Sequence, residues 1–167
     1  MIRITGVDGR LISRGIGATL VFSIHGALYN QSARDPDLAR AVARGVRRAG
    51  PELIFVGLAA SEPMRRAAEA EGLRFAGEAF ADRAYEKNGS LRSRRLSGAV
   101  ITEPETAAAQ AVRIARDGVV VAAGGVEVPL EAETLCLHGD TPGALAIAQT
   151  VRRALEAAGV TVSPLRR

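Results

Sequence analysis

The chain has 167 residues, a hydrophobic content of 47% and a charged content of 24%, which is enough for one globular domain with a proper core and excludes a disordered chain. Net charge is +4, carried almost wholly by arginine, with Lys87 the sole lysine. Most arginines sit beside Glu or Asp, and only residues 91–95 and the C-terminal pair cluster. Clustered base with interleaved aromatics is lacking, so the reading is no nucleic-acid partner. No apolar run approaches the ~20 residues of a membrane span. The opening "MIRITGVDGRLISRG" is too polar for a signal peptide, so a cytoplasmic protein with no membrane partner is expected.

Apolar runs alternate with amphipathic stretches along the chain. Residues 18–24, 53–58, 73–80 and 134–138 read as buried strands. A lesser strand is expected near 118–122, with 126–128 either its hairpin partner or a loop. Four helices are punctuated by a polar cap, an early proline and a terminal glycine, at about 36–49, 62–71, 103–117 and 142–158. Thr102-Glu103-Pro104-Glu105 reads as a capping box at the start of the third. Strands alternating with helices argue for an α/β protein with a parallel sheet. Residues 81–100 form a long irregular segment, and such loops are often functional. Cys136 lies in a strand, where a buried thiol is a better reading than a nucleophile.

In parallel α/β folds, sites form at the carboxyl ends of strands. The polar clusters fall there: His25 with Tyr29 and Asn30, then Asp82, Arg83 and Tyr85 with Glu78 just inside, then His138, Asp140 and Thr141. Both histidines occur as His-Gly at the end of an apolar run. Each could simply cap its strand, but two placed alike favour a functional reading. Asp82 and Arg83 could equally be a solvated loop pair. Asp140 could belong to a helix cap, or "HGDTPG" could offer a helix N-terminus to an anion. No phosphate-binding Gly-Lys loop, dinucleotide fingerprint or Cys-x-x-Cys occurs. A metal on His25, His138 and an aspartate is possible, but nothing calls for one.

Four motifs in series, "HGALYN" (25–30), "VGLAASE" (56–62), "EAFADRAY" (78–85) and "HGDTPGA" (138–144), resemble the LamB/YcsF family, from about His25 to about Val160. The resemblance implies a TIM-like (β/α) barrel of the glycoside hydrolase/deacetylase type, present in part, with parallel strands and flanking helices. It divides the chain into an atypical segment 1–24, ending in a strand, and a family-like part 25–167. The family has Lys-Pro where Ser23-Ile24 stand here. Its early Asn-Cys-Asp, Gly-Phe-His-Ala-Gly-Asp and Ala-His-Pro motifs do not occur. Such a barrel takes about 250 residues, so the expectation is a chain lacking about a third of it. Strands left open at the break would be edges able to pair with another chain, and a homo-oligomer is one outcome.

The activity implied is opening of the 5-oxo-L-proline lactam to L-glutamate, coupled to hydrolysis of ATP to ADP and phosphate. ATP is then a co-substrate, a divalent metal is open, and the partners are 5-oxoproline and the B and C subunits of a 5-oxoprolinase. His25 or His138 would act as general base or acid. Asp82 and Asp140 would orient them or join a metal. Arg83 would hold the substrate carboxylate, with Tyr29, Tyr85, Asn30 and Thr141 lining the pocket. The chain alone is expected to be inactive. The competing readings are a non-catalytic remnant that contacts the partner subunits, and an α/β binding module.

Overall fold

The computed structural model describes residues 4–5, by their backbone, and residues 21–165. In chain order the elements are β1 (Ile4–Thr5), β2 (Val21–Ser23), α1 (Gly26–Ser32), α2 (Pro36–Ala49), β3 (Ile54–Leu58), α3 (Glu62–Ala70) and β4 (Arg74–Phe80). Then follow α4 (Pro104–Asp117), β5 (Val119–Val121), β6 (Glu127–Pro129), β7 (Thr134–Cys136) and α5 (Ala144–Ala157). Two compact units divide the chain between Gly77 and Glu78, within β4, and β1 belongs with the later one.

In the unit before that division, β2 runs parallel to β3, with Val21 opposite Ile54 and Ser23 opposite Val56. Every residue of β3 is buried, as befits a strand covered on both faces. Burying side chains such as Ile54 and Phe55 is worth about 1.5–3 kcal/mol each. Helix α2 starts where Asp35 accepts hydrogen bonds from the N–H groups of Asp37 and Leu38, and Pro36 fills the first turn. Its buried stripe, Ala39, Ala43 and Val46, has helical spacing. Helix α3 starts on Ser61, whose hydroxyl oxygen accepts from the Met64 N–H while its O–H donates to the Ala33 carbonyl just beyond α1. Phe75 of β4 meets Phe55 edge-on, and Arg65 lies over its ring.

In the other unit, β7 lies between β1 and β4, all parallel. Ile4 pairs with Leu135, and Phe80 pairs with Cys136. Cys136 is a buried strand thiol. β5 and β6 form an antiparallel hairpin turned by Gly124 and Gly125, both at positive φ, which settles residues 126–128 in favour of the hairpin. Helices α4 and α5 pack together. The face α4 buries is Ala107, Ala108 and Ala111, whose short side chains favour a close approach of helices, together with Ile114. Among the described residues no helix is long and apolar enough to cross a membrane.

Four expected helices form, and the structure differs from the sequence reading at three points. Residues 26–32 are a helix, where only a polar cluster was read. The capping box does not form: Glu103 is the N-cap and α4 has no side-chain cap. The last helix begins at Ala144, after Gly143 at φ 78, so neither Asp140 nor Thr141 caps it. Of the strand expected at 18–24, residues 18–20 lie outside the described residues, as does most of the segment 1–24.

Candidate functional site

The register of the sheet builds the site. Phe80 and Cys136 are paired at the ends of β4 and β7, and the ladder takes one further step where the Ala81 N–H donates to the Cys136 carbonyl. Asp82 stands two residues past Phe80, and His138 two residues past Cys136. Two parallel strands in this register deliver those residues side by side at their carboxyl ends. Asp82 Oδ2 accepts the His138 backbone N–H at 2.8 Å, and the His138 ring Nδ1 lies 2.9 and 3.0 Å from the two carboxylate oxygens.

Burial separates the pair into a held end and an open end. The Asp82 side chain is 1% exposed and that of His138 17%. The Phe80 ring stacks on the imidazole, with centroids 5.5 Å apart and planes at 21°. A carboxylate at this place offers Nδ1 only acceptors, so the tautomer complementary to it carries the ring proton on Nδ1. Nε2 is then the nitrogen with a lone pair to offer. An imidazole oriented in this way can take a proton from water or hand one to a leaving group.

Several of the other sequence candidates hold the loop 81–100 in place. Arg83 is 5% exposed; its Nε donates to the Ala99 carbonyl at 3.1 Å and its Nη2 to the Arg92 carbonyl at 2.6 Å. Burial, and next the Arg94 charge, push its guanidinium below the ordinary value, against smaller support from Asp82 and Tyr85. The fork proposed for a substrate carboxylate is thus engaged on the loop's own backbone. Tyr85 is fully buried, and its hydroxyl oxygen accepts the Phe80 N–H at 2.7 Å. Burial pushes its ionisation far above the usual phenol value. Glu78 is buried in β4.

Asp140 is exposed and Thr141 half-buried, on the turn between His138 and α5. His25 is the exposed N-cap of α1, with no side-chain cap bond; Tyr29 is buried; Asn30 donates its amide to the Gly26 carbonyl at 3.0 Å. These three belong to the unit of residues before Gly77, whereas Asp82, Arg83, Tyr85 and His138 belong to the other. Among the described residues no three His, Cys, Asp or Glu side chains gather as a metal site.

Sequence reasoning missed Gln110. From the middle of α4 its Nε2 donates to the carbonyls of Phe80, Ala81 and Arg83, at 2.9, 3.1 and 2.8 Å. A lone glutamine among alanines gives no sign that it reaches a strand end.

The LamB/YcsF family matches residues 11–167. The chain is 54% identical over 138 residues to the A subunit of 5-oxoprolinase from Chloroflexus aggregans, covering 83% of this chain and 54% of that protein. The A subunit of 5-oxoprolinase from Heliobacterium modesticaldum is 50% identical with the same coverage. The crystal structure of a lactam utilization protein from Thermus thermophilus superposes with a TM-score of 0.78 at 42% identity, over 86% of this chain and 57% of that one. The chain spans about half the length of the curated relatives it matches. Its parallel strands and flanking helices are part of a TIM-like α/β fold shared with that structure, and the chain belongs to the LamB/YcsF family.

Proposed function

We propose that the chain serves as the A component of an ATP-dependent 5-oxoprolinase in the cytoplasm, with His138 as its proton-transfer group. The observation that carries this reading is the buried Asp82 carboxylate on Nδ1 of the more exposed His138, in a chain whose relatives bear that component's name. Ring opening adds water across the lactam C–N bond. The water oxygen ends in the new carboxylate, and the ring nitrogen leaves with a proton. His138 Nε2 takes the proton from the water and returns it to the nitrogen, while Asp82 holds the ring and stabilises the imidazolium formed between the two transfers. The amide is stable, so hydrolysis of ATP to ADP and phosphate drives the step, with ATP held on the B or C component.

Around this pair, Arg83 and Tyr85 keep the loop that carries Asp82, and Asp140 and Thr141 form a polar rim beside His138. His25, Tyr29 and Asn30 belong to the other unit and take no part in this proton transfer. By itself the chain is expected to show no turnover, because the reaction needs its partners. The test mixes it with the B and C components, 5-oxoproline and ATP, and follows glutamate and ADP. His138→Ala should lower glutamate release by about 10²–10⁴-fold while the variant still binds both partners. Equal rates for variant and parent would remove His138 from the chemistry. A mixture that assembles yet releases no glutamate would make the chain a non-catalytic binding component.

A further inference from the structure

We infer that Gln110 is a positioning residue for the Asp82–His138 pair; its kinetic part rests on the function proposed above. Past Phe80 the chain leaves the regular ladder of β4, and its backbone polar groups must find other partners. Some do so on neighbouring backbone: the Asp82 carbonyl accepts from the Ile101 N–H, and the Ala84 N–H donates to the Ala99 carbonyl. The carbonyls of Phe80, Ala81 and Arg83, which bracket Asp82 on both sides, converge on the single amide nitrogen of Gln110. That nitrogen has two hydrogens for three acceptors, so one is shared, and only one place satisfies all three.

The consequence falls on Asp82. Its carboxylate must meet two donors of His138 at once, the backbone N–H on Oδ2 at 2.8 Å and the ring Nδ1 between both oxygens at 2.9 and 3.0 Å. A carboxylate displaced by part of an ångström keeps one of them and loosens the other. The loosened one is the ring contact, since His138 Nδ1 is on the more exposed side chain and can turn. Gln110 therefore governs which imidazole nitrogen holds the proton without touching the imidazole. Packing does not explain its identity. It is half-buried and lines a cavity of about 520 Å³ with Ala84, Ile101, Ala109 and Val121, so a side chain of equal length fits without an amide.

The experiment uses the full chain with Gln110→Met, which keeps length and bulk and donates nothing. Imidazole nitrogen chemical shifts, read by NMR, report the tautomer, and the chain's only other histidine, His25, is the internal control. In the parent, His138 should show a protonated Nδ1 and a bare Nε2. In Gln110→Met the two nitrogens should move toward a mixture of tautomers, with the His25 signals unmoved. In the assembled enzyme kcat should fall about tenfold or more with KM little changed. Unchanged His138 nitrogens in a folded Gln110→Met would overturn the inference. Should that variant fail to fold, Gln110→Glu, of the same shape, decides by the same spectrum. The spectrum needs neither substrate nor partner, so the two readings fail separately. An altered tautomer with no glutamate release from the parent complex sinks only the proposed reaction. An active parent whose His138 nitrogens ignore the substitution sinks only the positioning.

Discussion

Replacing Asp82 by alanine and by asparagine separates the stability of the Asp82–His138 pair from its chemistry. Alanine removes the acceptor of two donors, the His138 backbone N–H and ring Nδ1. A buried backbone N–H left without a partner costs about 1–3 kcal/mol. The ring, 17% exposed, can turn part-way to water, and its lost bond adds about 0.5–1 kcal/mol. Together these come to about 1.5–4 kcal/mol, or a fall in Tm of about 3–16 °C for a chain of this size. Asparagine keeps the shape. Its amide oxygen can still accept from the backbone N–H, so the loss should be about 1 kcal/mol or less. Its NH2 group, however, then faces Nδ1 and compels that nitrogen to accept, moving the ring proton to Nε2. A general base with its lone pair on the wrong nitrogen loses a factor of the order of 10³–10⁴ in rate, or about 4–5.5 kcal/mol of barrier. Thermal unfolding of the two variants, beside glutamate release with the B and C components, checks both halves. Asparagine proving less stable than alanine, or keeping more than about a tenth of the rate, would refute the reasoning.

Three further expectations concern packing and hydrogen bonding within the two units. Tyr85→Phe removes the acceptor of the Phe80 N–H and should cost about 1–3 kcal/mol at neutral pH. Because burial raises the folded-state pKa above the ordinary value of 10.0, the unfolded chain releases this proton first. The stability from the buried phenol is thus complete below about pH 10 and declines as pH rises beyond it. The phenylalanine variant should show a flatter alkaline unfolding curve, and an equal slope would place the effect elsewhere. Arg83→Met breaks the bonds to Ala99 and Arg92, each worth about 1.5–3 kcal/mol. Amide hydrogen exchange should accelerate across residues 84–99 and stay unchanged in α5; uniform exchange would show that Arg83 does not hold the loop. Gly57→Ala puts a Cβ 2.6 Å from Met64 Cε and 2.8 Å from Phe75 Cε2. The methionine tip can swing away and the ring cannot, so a loss of about 1–2 kcal/mol is expected. A rise in Tm would refute the crowding.

What the sequence disclosed, and what it withheld, follows from how local each cause is. Helices α2 and α3 were legible because Asp35-Pro36 and Ser61-Glu62-Pro63 act within a few residues, and both caps form as read. Helix α1 was not, because seven residues with no side-chain cap leave no such mark. The pattern at Thr102–Glu105 misled because nearby Glu103, not Thr102, became the N-cap. The site divides in the same way. That Asp82 and His138 end apolar runs is visible along the chain. That His138 meets Asp82, 56 residues away, and not Asp140 two residues on, depends on which strands are neighbours. In chain order β4 is followed by β5 and β6, and those two leave to form their own hairpin. β7 is therefore the strand that lies beside β4, and the pairing of Phe80 with Cys136 then leaves no freedom. A slip of one residue would turn His138 to the opposite face of the sheet from Asp82. Asp82 and His138 are thus brought together by strand order and register, which is the one kind of information that periodicity and capping do not carry. Gln110 lies a step deeper still, since its partners are backbone carbonyls and leave no residue type to recognise.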